Sequence, residues 1–137
     1  MELTARQQIN VLIVEDEFLI ALDMEAALQD AGYTVCGIAT TRAEALARAR
    51  AHRPDIALVD VHLADGVTGP SIGADLVEQG TRVIFVTANP ALVAGRLDGA
   101  LGVVSKPAET RTILDVIGWA LVGDPGSRPA GLQSLSN

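Results

Sequence analysis

The chain is 137 residues long, enough for one ordinary domain and too short for two. A hydrophobic share of 49% and a charged share of 20% lie near globular averages, which argues against wholesale disorder. With 17 acidic against 10 basic residues and a formal charge of -7, the chain is poorly suited to nucleic acid or anionic lipid and better suited to a protein or cationic partner.

Residues 1–8 carry no long apolar core of a secretion signal and read as an N-terminal extension. The first apolar run, Val11 to Val14, stops at once at Glu15, Asp16 and Glu17. A helix is predicted from Glu17 to Ala31, with Ile20, Met24, Ala27, Leu28 and Ala31 on one stripe and Gly32 as its stop signal. Thr34 to Ala39 reads as a buried strand, and its lone Cys36 as an inert core thiol. The next helix, Ala43 to His52, turns Ala43, Leu46 and Ala47 inward and ends before Pro54. Ile56 to Val61 is a third strand, followed by a helix over Ser71 to Gln79 with Ile72 and Leu76 inward.

Val83 to Val86 is the fourth strand. The helical slot after it, Pro90 to Leu97, is short, with Gly95 inside it and Gly99 just beyond, so one or two turns or a mobile loop are expected. Val103 and Val104 mark a fifth strand, and Ala108 to Val122 a last helix with Ile113, Ile117, Ala120 and Leu121 on one face. Beyond Val122 periodicity is lost, so residues 123–137 are expected to be a flexible tail and residues 9–122 the domain. No run approaches the roughly 20 apolar residues that span a bilayer, and a soluble protein of a reducing cytoplasm is expected.

Apolar runs without polar alternation suit parallel strands covered on both faces, and their alternation with helices predicts a doubly wound α/β sheet of five parallel strands. Ligands then sit in the crevice at the carboxyl ends of the strands. The residues ending the strands are Glu15 and Asp16, Asp60 to His62, Thr87 to Asn89, and Ser105 to Pro107. Two carboxylates at about 4 Å repel by about 4 kcal/mol at an effective dielectric near 20, so a positive charge must offset them. A hard divalent cation with oxygen ligands does so, and magnesium is the expected one. Lys106 adds a second positive charge suited to a phosphoryl oxygen. Asp60 can then serve as a carboxylate nucleophile toward phosphorus, and the Thr87 hydroxyl can donate to the group it receives.

These segments resemble a known family, the CheY-like receiver domains of two-component response regulators. VLIVEDE is similar to the receiver's first strand and acidic cluster, DIALVDVHLADG to its phosphoacceptor strand and loop, VIFVTAN to its threonine strand and VVSKP to its lysine-proline end. The resemblance implies a flavodoxin-like strand order 2-1-3-4-5, with the fourth helix short or irregular. It implies that Asp60 is the phosphoacceptor, Asp16 a direct metal ligand, Glu15 a ligand acting through water and His62 a ligand through its backbone carbonyl. Thr87 is then the switch hydroxyl, and Lys106 pairs with Asp60 or its phosphoryl group. The implied cofactor is Mg2+, and the implied phosphodonor is a sensor histidine kinase or a histidine phosphotransfer protein.

The chain departs from the family's pattern at Val103, where receivers often carry an aromatic switch residue, and at Ala108, where Phe is common. VTANP with its short helical slot resembles the receivers of alphaproteobacterial general-stress regulators. A stand-alone module is expected, acting as a switch, relay or phosphate sink, monomeric or weakly dimeric on phosphorylation. It is expected not to be an enzyme beyond weak self-dephosphorylation. A downstream partner is expected to meet Asn89 to Gly99 and the last helix around Trp119, without nucleic acid or membrane. Two other readings compete: an aspartyl-phosphate hydrolase, which wants an acid where His62 stands, and a pseudo-receiver that only binds.

Overall fold

The computed structural model describes residues 9–95, 99–122 and 128–135; the expectations for residues 1–8 and for parts of the Asn89 to Gly99 segment and of the tail lie outside them. The strands are β1 (Asn10–Val14), β2 (Thr34–Ala39), β3 (Ile56–Val59), β4 (Arg82–Thr87) and β5 (Gly102–Ser105). The helices are α1 (Phe18–Asp30), α2 (Arg42–His52), α3 (Gly69–Glu78) and α4 (Thr110–Val122), and a 3-10 turn spans Pro90–Leu92. All strands are parallel in the order β2-β1-β3-β4-β5, the doubly wound, flavodoxin-like sheet.

The two-residue period of a strand sorts its side chains between two cores. Leu12, Val14, Ala57, Val59, Val83, Phe85 and Val103 face one side, where α2 and α3 cover them with Ala45, Ala49, Ile72 and Leu76. Val11, Ile13, Ile56, Leu58, Ile84, Val86 and Val104 face the other, beneath Ala21 and Leu28 of α1 and Ile113, Val116, Ile117 and Ala120 of α4. Both faces are dry, which is why these strands read as unbroken apolar runs.

Three expectations are corrected. In α2 the buried alanines are Ala45 and Ala49, whereas Ala43 and Ala47 are exposed. β3 ends at Val59, which frees Asp60 and Val61 from strand geometry. Residues 128–135 depart from the expected flexible tail: Leu132 and Leu135 are buried, and Gln133 pairs antiparallel with Val103 on the open edge of β5. A free sheet edge is a row of unpaired backbone groups, and this segment satisfies part of it.

Candidate functional site

β1, β3 and β5 each extend the ladder by one backbone hydrogen bond past the last strand residue. Glu15 N donates to Ala39 O, Asp60 N to Val14 O and Lys106 N to Thr87 O, each at 2.9 Å. The ladder thereby fixes the residues that follow the strands at the carboxyl edge of the sheet, and it places Glu15, Asp60, Thr87 and Lys106 there together. Carboxylate oxygens of Glu15, Asp16 and Asp60 lie within 4.8 Å of one another. Asp16, Asp60, His62, Thr87, Asn89 and Lys106 line a cleft of about 220 Å³ beside them.

Lys106 bridges the buried acids. Its Nζ donates to Glu15 Oε1 at 2.5 Å and to Asp60 Oδ2 at 2.8 Å. Burial pushes the Glu15 carboxyl above its ordinary value, opposed by the Lys106 hydrogen bond and by that from Glu17 N. Burial alone would lower the Lys106 pKa, but its hydrogen bonds to Asp60 and Glu15 outweigh that and raise it, so the ammonium persists at neutral pH. Three carboxylates and one ammonium leave two negative charges, an electrostatic balance that a divalent cation would close.

Lys106 is the chain's only lysine; its other basic residues are all arginine. A compact ammonium with three donors fits between two buried carboxylates better than a planar guanidinium fork. Being the only lysine is a second signal for this position, besides its place after a buried apolar run.

The remaining expected residues fall around this pair. Asp60 Oδ1 accepts from Val61 N at 2.7 Å. Thr87 is 1% exposed, and its Oγ1 accepts from Asn89 N at 3.1 Å. Asp16 and His62 are exposed, with His62 Nδ1 3.4 Å from Asn89 Nδ2. Glu17 holds the N-cap position of α1 without a side-chain capping bond.

Gly69 packs against the site's backbone, a contact that the sequence reading missed. A Cβ there would stand 2.1 Å from Asp60 O and 2.6 Å from Val61 Cα, so the first turn of α3 presses directly on the backbone that carries Asp60. The Gly69-Pro70 pair was its only signal, since Pro suits a helix start and a preceding glycine permits close approach.

Residues 11–118 match the response regulator receiver domain family. The chain belongs to that family. The phyllosphere-induced regulator PhyR of Methylorubrum extorquens is 37% identical over 130 residues, which cover 93% of this chain and 49% of that protein. The solution structure of the PhyR receiver domain of Erythrobacter litoralis has a TM-score of 0.78 and 34% identity, covering 89% of this chain and 95% of that one. An anti-anti-sigma factor PhyR from Bartonella quintana has a TM-score of 0.73 and 34% identity over 83% of this chain and 47% of its own. The chain therefore spans about half the length of the Methylorubrum extorquens and Bartonella quintana relatives. No helix among the described residues is long and apolar enough to cross a membrane.

Proposed function

We propose that this receiver accepts a phosphoryl group on Asp60 from a phosphohistidine of a sensor kinase or phosphotransfer protein. The observation that carries the reading is the meeting of Glu15, Asp16 and Asp60 oxygens around the chain's single lysine, beside the Thr87 hydroxyl. An Asp60 carboxylate oxygen forms the new bond to phosphorus, the bond from phosphorus to the donor imidazole nitrogen breaks, and the electron pair leaves with that nitrogen. Lys106 orients Asp60 before transfer through the hydrogen bond from its Nζ, and its ammonium can follow the charge onto the phosphoryl oxygens. Thr87 Oγ1 accepts from Asn89 N and keeps its own proton to donate to the same group.

Magnesium held by Glu15, Asp16, Asp60 and the His62 carbonyl would neutralise charge on the phosphoryl oxygens. Sustained hydrolysis is not expected, because the side chain two positions beyond Asp60 is His62, whose ring lies beside Asn89 and is no carboxylic acid. Exposed Phe18, Leu19 and Leu22 on α1 offer the donor protein an apolar footing next to Asp16. The output partner is proposed to meet the 89–95 segment and the Trp119 face of α4, in a regulatory circuit of the kind served by an anti-anti-sigma factor, within the cytoplasm.

Incubation with a small phosphodonor and magnesium should add one phosphoryl group, labile to hydroxylamine, and Asp60→Asn should abolish the addition. Intact-mass spectra showing equal labelling of that variant would remove Asp60 from the role.

A further inference from the structure

The segment 128–135 crosses the open edge of β5 and places one leucine in each core, Leu135 on the face of α2 and α3 and Leu132 on the face of α1 and α4. Between them, Val103 N donates to Gln133 O at 2.9 Å and Gln133 N to Val103 O at 2.8 Å. Arg128 anchors the start: its Nη1 donates to Leu101 O at 3.1 Å, and its guanidinium lies 5.0 Å from the centroid of the Trp119 ring. The fit leaves no slack. A Cβ on Gly102 would stand 2.7 Å from Gln133 O, and one on Gly131 2.4 Å from Thr112 Cγ2.

Two features make this strap releasable. It holds β5 by a single bridged residue pair, whereas β4 and β5 share four registered pairs. Its far end is tied to the switch side of the site, because Gly95 N donates to Leu135 O at 2.7 Å. Gly95 follows the Pro90–Leu92 turn, and that turn follows Asn89, whose N–H is held by Thr87 Oγ1. A phosphoryl group on Asp60 attracts the Thr87 hydroxyl as a donor, and although the same oxygen can still accept from Asn89 N, movement of the side chain toward the phosphoryl group stretches that hold. One short chain thus links the acceptor to the strap.

We propose that residues 128–135 are a releasable strap on the β5 edge, displaced when phosphorylated Asp60 draws Thr87 away from Asn89. The vacated edge then takes an extended segment of a partner protein bearing two apolar residues three positions apart, the spacing of Leu132 and Leu135. An unpaired strand edge supplies backbone hydrogen bonds for such a segment, and the two vacated leucine sockets supply selectivity. The switch rests on the reading of Asp60 as the phosphoacceptor.

Amide exchange by NMR on the full chain tests it. Beryllofluoride with magnesium, a phosphoryl mimic, should speed exchange of the Val103 and Gly95 amides by about tenfold or more. Leu135→Asp should do the same without the mimic, and a synthetic peptide of residues 128–135 added in trans should slow Val103 again in that variant. Gly131→Ala, a milder change confined to the strap, should act in the same direction if Leu135→Asp fails to fold. Unchanged Val103 exchange in the folded strap variants would overturn the strap itself. Binding of beryllofluoride with Val103 and Gly95 unchanged would overturn the coupling and leave the Asp60 reading intact, whereas no binding of beryllofluoride would overturn that reading and the switch with it. Dimerisation of the beryllofluoride form by exchange of straps would make the occupant a second copy and overturn the claim for a foreign segment.

Discussion

The two halves of the sheet are built to different standards. Around β2, β1 and β3 the crossovers are the helices α1, α2 and α3, of 13, 11 and 10 residues, and they bury Ala21, Leu28, Ala45, Ala49, Ile72 and Leu76 against the strands. Around β4 and β5 the crossover holds a 3-10 turn of 3 residues with no buried member, anchored just beyond by Val93, and the edge is closed by the strap. The acids Glu15, Asp16 and Asp60 come from the first half, while Thr87 and Lys106 come from the second. Regions with few apolar anchors open at low free energy, so the groups proposed to answer a new charge stand in the half with the shorter crossover. The proposed acceptor stands in the other.

The largest test of this contrast removes the link between the halves. Lys106→Met leaves Glu15, 1% exposed, and Asp60 without their shared cation, and breaking such a pair costs about 3 kcal/mol. Because the folded-state pKa of Lys106 is raised above its ordinary 10.5, its contribution is fully present below pH 10.5 and is lost as pH rises through the higher folded value. Urea midpoints of wild type and Lys106→Met should therefore stand apart at neutral pH and converge in strong alkali. A gap that persists there would mean that packing of the lysine stem, and not its charge, holds the halves together.

A smaller effect is expected within the rigid half. In Gly69→Ala the new methyl must displace α3 or the Asp60 backbone, and overpacking of this kind costs about 2 kcal/mol. Thermal unfolding should show the loss, and the phosphorylation rate of the still-folded variant should fall with it, because Asp60 is carried on the displaced backbone. A variant that is destabilised yet labelled at the wild-type rate would show that α3 shifts and the acceptor does not.

Much of this was readable from the residues. The five strands and the buried faces of α3 and α4 followed from period and run length, and the gathering of Glu15, Asp60, Thr87 and Lys106 at one edge from the rule that ligands meet the carboxyl ends of strands. The orientation of α2 did not follow, because in RAEALARARAH alanines occur on every face and periodicity has no apolar contrast to report. The strap was missed for a related reason. One bridged pair and two leucines three apart are too few to establish either a strand or a helix period, and their partner is the edge of β5, more than two dozen residues away in sequence. Gly69 escaped because close backbone approach leaves no trace in hydrophobicity.

The smallest effect belongs to the outer end of the rigid half, where α2 begins. Thr41 Oγ1 accepts from Glu44 N at 3.2 Å, and Glu44 Oε1 accepts from Thr40 N at 2.8 Å and from Thr40 Oγ1 at 2.9 Å. The Thr40 backbone N–H, then its hydroxyl, hold the Glu44 carboxyl below its ordinary 4.5. Glu44→Gln keeps an acceptor oxygen and loses the charge, which at an exposed helix N-terminus is worth about 0.5 kcal/mol. The folded-state pKa is depressed, so that contribution is present above pH 4.5 and lost as pH falls through the lower folded value. The stability gap between wild type and Glu44→Gln should be measurable at neutral pH and should shrink as pH is lowered below 4.5, with Asp60 labelling unaffected because the cap lies at the opposite margin of the half from β5. A gap that does not shrink would assign the effect to side-chain geometry instead of charge. Slower labelling would show that even this outer cap helps hold the acceptor strand in place, and the division between a fixed half and a yielding half would then be sharper than the packing alone implies.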